Sequence, residues 1–348
     1  MMYKLLKHML FIFQPETIHH IVVGALNATR YIPLSRIAIR RCCRFNHKSL
    51  KREVFGLSFD NPVGMAAGFD KNALVFNQLA DMGFAFVEIG TVTPLAQDGN
   101  PKPRCFRITG DSALINRMGF NNDGVEAAVK RLRNCKSRKL IVGGNIGKNT
   151  LTDNQNAVKD YVKAFKALYD YVDYFTVNLS CPNVCNLQAL QNKDMLEKII
   201  RALIAERRYR DQYKPILIKI SPDLSFEQID DALYIIRETG IDGVVAVNTS
   251  TSREGLTLSP EYIQVLGNGG LSGKPLTARA LEIVRYISEQ TSGQLPIIGV
   301  GGIMTVDDAL AMLDAGASLI QLYTGYIYQG PAFVKKILKA LIQLKIKN

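Results

Sequence analysis

Leu140-Ile-Val-Gly-Gly-Asn145, Tyr174-Phe-Thr-Val-Asn178 and Ile216-Leu-Ile-Lys-Ile220 are three short aliphatic runs, separated by stretches at 155–170 and 192–210 whose apolar residues recur at helical spacing. A strand, helix, strand, helix, strand order implies parallel strands joined by crossover helices. Working outward, the same alternation continues. Strand-like runs fall at 62–67, 86–89, 243–247, 297–300 and 319–323, and helical periods at 226–239, 277–290 and 305–314, several behind a Ser, Thr or Asp that can cap them. Eight such units predict an α/β chain closed into a (β/α)8 (TIM) barrel; an open doubly wound sheet is the alternative. The polar residues favour closure. Lys71, Thr91, Asn145, Asn178, Lys219, Asn248, Gly301-Gly302 and Thr324 sit at or just past the eight strand ends, and in a barrel all would converge on one rim.

The chain has 348 residues, of which 47% are hydrophobic and 21% charged, a globular composition. Its net charge of +12 is unevenly placed. Residues 1–52 carry ten bases and one acid, a net +9, which leaves only +3 on the other 296 residues. A charge confined to an N-terminal arm argues against a nucleic-acid binder. Six cysteines without C-x-x-C spacing are too sparse for a disulfide scaffold or a zinc site, and no metal is expected. No signal peptide is expected, and no apolar run approaches the roughly 20 residues needed to span a bilayer.

Two segments fall outside the repeat. Residues 92–123, rich in Pro, Gly and Asn, are too long for an ordinary βα loop and are expected to cover the rim. The arm reads as amphipathic helices at 3–13 and 15–27, with Pro15 at a helix start and Ile18, Ile21, Val22 and Ala25 on one face. The expected division is therefore an arm, 1–45, and a barrel, 46–348.

The glycines of Gly267-Asn-Gly-Gly-Leu-Ser-Gly273, Gly299-Val-Gly-Gly302 and Tyr323-Thr-Gly325 offer bare amides after the last strands, where barrels bind phosphate. Neither G-x-G-x-x-G nor a Walker A loop is present, so one phosphate on a larger cofactor fits better than a dinucleotide or NTP. Lys219 lies within an apolar run, where a lysine is costly unless it faces a partner; beside a flavin ring it would stabilise the charge of the reduced form. Asparagines crowd Asn116-Arg-Met-Gly-Phe-Asn-Asn122 and Val177-Asn-Leu-Ser-Cys-Pro-Asn183, and their paired donors and acceptors match a planar cyclic amide such as a pyrimidine.

Seven ordered motifs then coincide: Ala66-Ala-Gly-Phe-Asp-Lys71, Glu88-Ile-Gly-Thr-Val-Thr-Pro94, Ile115-Asn-Arg-Met-Gly-Phe-Asn-Asn122, Asn145-Ile-Gly-Lys148, Ser180-Cys-Pro-Asn183, Gly270-Leu-Ser-Gly-Lys-Pro-Leu276 and Ile298-Gly-Val-Gly-Gly-Ile303. Together they closely resemble the dihydroorotate dehydrogenases, flavin enzymes of pyrimidine synthesis. The resemblance implies one FMN per chain, touched by Ala67, Gly68, Lys71, Thr91, Asn145, Asn178, Lys219, Val247, Gly273, Gly302, Tyr323 and Thr324. It places dihydroorotate or orotate on Lys71, Asn116, Arg117, Met118, Gly119, Phe120, Asn178, Asn183, Asn248 and Thr249, with Cys181 as the catalytic base.

The family divides into class 2 enzymes, which reduce membrane quinone and carry an N-terminal helical extension and usually a serine base, and soluble class 1 enzymes with a cysteine and no extension. This chain combines an extension with Cys181. A thiol with an ordinary pKa of about 8.5 is a workable base near neutrality. The arm decides for class 2: its Pro15-Glu-Thr-Ile-His19 segment matches, and His19, Arg107 and Tyr323 would line the quinone route. The implied activity is oxidation of dihydroorotate with a quinone acceptor, at an anionic lipid surface on the cytoplasmic face of the inner membrane, with no obligate protein partner. A class 1 enzyme using fumarate or NAD is the alternative.

Overall fold

The structure, a computed structural model, describes residues 2–135, 140–179 and 193–347. In chain order, helices α1 (Met2–Phe11), α2 (Pro15–Ala28) and α3 (Pro33–Cys43) form the arm. Strands β1 (Arg52–Val54) and β2 (Leu57–Phe59) make a hairpin, followed by β3 (Val63–Met65), α4 (Phe76–Asp81) and β4 (Phe86–Val92). Next come β5 (Cys105–Ile108), β6 (Ala113–Asn116), α5 (Val125–Arg133), β7 (Ile141–Ile146), α6 (Ala157–Leu168) and β8 (Tyr174–Asn178). The remainder is α7 (Lys193–Arg207), β9 (Ile216–Ile220), α8 (Phe226–Thr239), β10 (Gly243–Ala246), α9 (Pro260–Leu266), β11 (Gly270–Gly273), α10 (Thr277–Gln290), β12 (Ile297–Val300), α11 (Val306–Asp314), β13 (Leu319–Leu322), α12 (Thr324–Gln329) and α13 (Phe333–Lys347).

Strands β3, β4, β7, β8, β9, β10, β12 and β13 pair in parallel and close on themselves. All eight strands expected from the sequence are present, and the barrel excludes the open sheet. Because helices cover the outside and side chains fill the inside, the strands are buried on both faces, which is why they read as near-continuous apolar runs. Helix termini follow their sequence signals: Ser225 and Gln228 form a reciprocal cap on α8, and Thr305 and Asp308 do so on α11.

The period of two along the strands stacks the barrel interior in layers. At the N-terminal end the β1/β2 hairpin plugs the barrel: Phe59 packs edge-on against Phe86, with ring centroids 5.3 Å apart, in a dry cluster with Tyr174, Leu217 and Leu319. One step up each strand come Glu88, Asn145, Thr176, Lys219 and Gln321, all buried. Asn178, Val247 and Tyr323 lie at the mouth.

Three expectations are revised. The 92–123 segment is not a plain loop, because Cys105-Phe-Arg-Ile108 and Ala113-Leu-Ile-Asn116 pair as antiparallel strands; the surrounding Pro, Gly and Asn hid them. Strand β6 then pairs with β11, so Gly270–Gly273, expected as a phosphate loop, is the third strand of this cover sheet. In the arm, Ile18 and Val22 face inward as expected, but Ile21 is 56% exposed and Ala25 is also exposed; Val23 and buried Leu26 take the inner positions. The helix is apolar on its outer side too, so sequence periodicity could not say which side is inner. Arg36 and Arg40 of α3 both bond the buried carboxylate of Asp81 on α4, pinning the arm to the barrel. Among the described residues, no helix is long and apolar enough to cross a membrane.

Candidate active site and its apolar entrance

One continuous cavity of about 440 Å³ lies between the barrel mouth, the cover sheet and the inner sides of α1 and α2. Of the residues expected on a cofactor, Ala67, Gly68, Lys71, Thr91, Asn178, Lys219, Val247, Gly273, Gly302, Tyr323 and Thr324 line it. Gly302 is required as glycine: it sits at φ 67°, and a Cβ there would strike the backbone of Thr277. Asn145 does not reach the wall. It is fully buried one layer below, donating to Glu88 and accepting from Thr91 and Asn178.

Of the expected substrate residues, Lys71, Asn116, Met118, Gly119, Phe120, Asn178, Asn248 and Thr249 share the same cavity. Arg117 is a correction: its guanidinium turns away to the carbonyls of Leu266, at 2.6 Å, and Pro103, so it braces the cover. The loop it leads is tightly constrained. Gly119 stands at φ 72°, where a Cβ would meet Asn100, and Phe120 at φ 54°, a left-handed conformation costing a non-glycine residue about 1 kcal/mol or more. Lys71 donates to Asn121 on that loop, and its own loop is tied down by Asp70, whose carboxylate accepts from the amides of Leu74 and Val75. Burial pushes the Asp70 carboxyl up to about 6. Cys181 and Asn183 lie outside the described residues.

The arm supplies an apolar end to the cavity through Leu6, Leu10, Ile18, Val22, Val23 and Leu26. The three residues expected on a quinone route, His19, Arg107 and Tyr323, all stand where this apolar space meets the polar mouth. His19 packs edge-on to Phe69 at 5.2 Å; burial, then the charge of Lys71, hold it at about 4, so it is neutral near pH 7. Burial keeps the Tyr323 phenol well above its ordinary value, hence protonated. Arg107 donates to the carbonyls of Phe11 and Phe13, closing the end of α1, and stacks on the Phe11 ring at 4.0 Å. Its Nε is buried with no hydrogen-bond partner among the described residues. Glu16 of α2 meets Arg104 of the cover at 2.8 Å in a buried ion pair. Burial raises the Glu16 carboxyl, but Arg104 outweighs that and holds it below its ordinary value.

Sequence reasoning missed three contributors. Gln321 lines the cavity from the barrel interior, donating Nε2 to Glu88 while its Oε1 is buried and unpartnered among the described residues. Asn121 and Cys105 also line it, the latter a thiol that burial pushes up to about 11. Gln321 carried a signal: a glutamine within the aliphatic run Leu319-Ile-Gln-Leu322 is costly unless something faces it. Among the described residues, no group of three or more His, Cys, Asp or Glu is placed to hold a metal.

Residues 49–344 match the family described as dihydroorotate dehydrogenase. Over 343 residues the chain is 50% identical to a "Dihydroorotate dehydrogenase (quinone)" of Christiangramia forsetii, covering 98% of this chain and 99% of that one. A protein of the same description from Chromobacterium violaceum is 44% identical, with 100% of each chain covered. Both alignments include the arm, which the family match leaves out. Among solved structures, ligand-free DHODH from Eimeria tenella superposes with a TM-score of 0.85 at 36% identity over 95% of both chains. The ferulenol complex of that protein gives 0.83 at 35%, covering 95% of this chain and 93% of the other. The chain belongs to the dihydroorotate dehydrogenase family.

Proposed function

We propose that this chain is a class 2 enzyme that oxidises (S)-dihydroorotate to orotate in pyrimidine biosynthesis, with a membrane quinone as the final acceptor. The observation that carries the reading is the two-ended cavity: a polar mouth lined by Lys71, Asn116, Asn178 and Asn248 opens directly into apolar space between α1 and α2. A charged pyrimidine suits the first end and an isoprenoid-bearing ring the second. At their junction the buried Arg107 Nε, unpartnered among the described residues, suits a carbonyl oxygen, since leaving it unmet costs roughly 1–3 kcal/mol.

The barrel mouth fits FMN, one per chain. Gln321 Oε1 is a buried acceptor with no N–H among the described residues, Gly302 and Gly273 leave the backbone open to a phosphate, and Lys219 brings a buried cation to the wall. The residues that would hold it are Ala67, Gly68, Lys71, Thr91, Asn178, Lys219, Val247, Gly273, Gly302, Tyr323 and Thr324, with Asn145 acting from behind Thr91 and Asn178. When bound, FMN supplies the hydride acceptor and the link between the two half-reactions. Cys181 takes the proton from C5 of dihydroorotate. Lys71, Asn116, Asn178, Asn183, Asn248 and Thr249 hold the ring and its carboxylate, and the Arg117–Phe120 loop closes over them, keeping water out.

The arm is proposed to rest on an anionic lipid surface at the cytoplasmic face of the inner membrane. Its outer side exposes Ile12 at 80% and Leu34 at 78%, with Leu5, Met9 and Phe13 nearby, beside the basic residues of the arm. Basic residues near such a surface contribute about 1 kcal/mol each. The second reading, a class 1 enzyme, rests on Cys181. Assay of the purified protein with dihydroorotate and, in parallel, a short-chain quinone, fumarate and NAD separates the two. Quinone reduction is expected, and reduction of fumarate or NAD in its place would overturn the quinone assignment.

A further inference from the structure

The barrel interior contains a carboxylate that no part of this mechanism uses. Glu88 is completely buried between the Phe59/Phe86 plug and the cavity, and it accepts four hydrogen bonds. Asn145 Nδ2 meets Oε1 at 2.7 Å, while Oε2 receives Gln321 Nε2 at 2.8 Å, Thr176 Oγ1 at 3.1 Å and the Tyr174 hydroxyl at 3.3 Å. An Asn side chain looks nearly the same from either end, so something must decide which end faces which neighbour. Glu88 decides it for Asn145: a carboxylate only accepts, so it draws the NH2 and turns Oδ1 the other way. That Oδ1 receives Thr91 Oγ1 at 2.6 Å and Asn178 Nδ2 at 3.3 Å, and Asn178 Nδ2 also meets Thr91 Oγ1 at 3.0 Å. Asn178 is thereby turned so that its Oδ1 receives Asn248 Nδ2 at 3.3 Å, while Asn248 Oδ1 receives the amide of Thr249 at 2.9 Å.

We propose that Glu88 is a positioning residue that sets, through Asn145 and Thr91, which end of Asn178 and Asn248 faces the pyrimidine. The inference rests on the functional reading above. Glu88 touches neither substrate nor cofactor; it acts by breaking the near-symmetry of a chain of amides. Glu88→Gln tests this. Three donors crowd Oε2 and one meets Oε1, so the new amide nitrogen is least opposed at the Oε1 side, facing the NH2 of Asn145. Asn145 must then turn over, and the donor and acceptor order reverses along the chain to Asn248. A second variant restores the order: in Glu88→Gln/Asn145→Asp the glutamine NH2 donates to the new carboxylate, which again accepts from Thr91 and Asn178, and all three Oε2 donors keep their acceptor.

The measurement is calorimetric titration of orotate into the FMN-loaded proteins, alongside melting temperature and flavin content. Glu88→Gln is expected to weaken orotate binding about tenfold or more, and Glu88→Gln/Asn145→Asp to return it to within about threefold of the parent. Phe59→Leu, which loosens the plug beneath Glu88 without touching the chain of amides, is expected to lower the melting temperature yet leave orotate affinity within about twofold. The proposal is overturned if Glu88→Gln binds orotate as the parent does, if Phe59→Leu weakens binding equally, or if the double variant recovers nothing. Should the single variant fail to fold, the double variant carries the test, and a loss of more than about tenfold in it overturns the proposal. Failure of the parent protein itself to bind orotate would overturn the functional reading and this inference with it, a result distinct from failure in the variants.

Discussion

The two ends of the cavity are built on opposite principles. At the barrel floor, Glu88, Asn145, Thr91 and Asn178 are buried polar groups held in one arrangement by mutual hydrogen bonds, with packed aromatic rings beneath. In the arm, α1 and α2 present aliphatic side chains to the cavity and further aliphatic side chains to the outside, and are tied to the barrel at separated polar points: Arg104 on Glu16, Arg107 on the end of α1, and Arg36 with Arg40 on Asp81. A polar network has directional partners and so one low-energy state. Apolar walls have none, which suits a ligand that must enter, slide and leave. The difference predicts that damage at one end leaves the half-reaction of the other end intact.

The largest separation comes from Cys181→Ala. Flavin reduction by dihydroorotate is expected to slow at least about a hundredfold, the lower range for loss of a general base, with FMN retained and reoxidation of chemically reduced enzyme by quinone unchanged in stopped-flow traces. Near-normal reduction would remove Cys181 from its role. Next, Glu16→Ala leaves Arg104 buried without its carboxylate but still bonded to the carbonyls of Asp98 and Asn100, so a cost of about 2 kcal/mol is expected rather than the larger cost of a fully orphaned charge. It should appear as faster hydrogen exchange in α1 and α2 with unchanged exchange in the barrel strands. Equal loosening of both would show that the arm is not an independent unit.

A smaller effect is expected from Arg107→Leu: the KM for quinone rises about tenfold while the rate of flavin reduction by dihydroorotate holds. Acidification should act more gently on the arm. His19 is held at about 4 against an ordinary 6.5, so the docked arm resists a proton that the undocked arm accepts. Its contribution is complete above about pH 6.5 and declines as the pH falls toward 4. Glu16, held below its ordinary 4.5, loses its contribution in the same direction at lower pH. Proteolytic cleavage within residues 1–45 should therefore quicken by a fewfold between about pH 7.5 and about pH 6; the same rate at both values would contradict it.

The barrel was legible because its signals are local and repeated: eight aliphatic runs, each followed at the same end by a polar residue or, after the seventh, by Gly301-Gly302, leave little choice of topology. Within the site, residues on strand ends such as Lys71, Asn178 and Lys219 were legible for the same reason. What escaped depends on long-range pairing. Nothing near Cys105-Phe-Arg-Ile108 indicates that it is one strand of a three-stranded sheet whose third member begins at Gly270. Arg117 was misplaced because its motif position is shared by backbone and side chain, and only the fold shows the guanidinium reaching Leu266. Asn145 and Gln321 share one layer of the barrel interior, yet one stands behind the cavity wall and the other in it, and sequence period marks both simply as inward.

The pairing of β6 with β11 also orders events during synthesis. Asn116 bonds to Gly270 across 154 residues, so the roof of the cavity has no third strand until three quarters of the chain has left the ribosome. The arm and the first barrel strands are made long before that. A nascent chain halted short of residue 270 would therefore hold the apolar entrance without a closed pocket beneath it, and ligand can stabilise the protein only as one of the last steps of its folding.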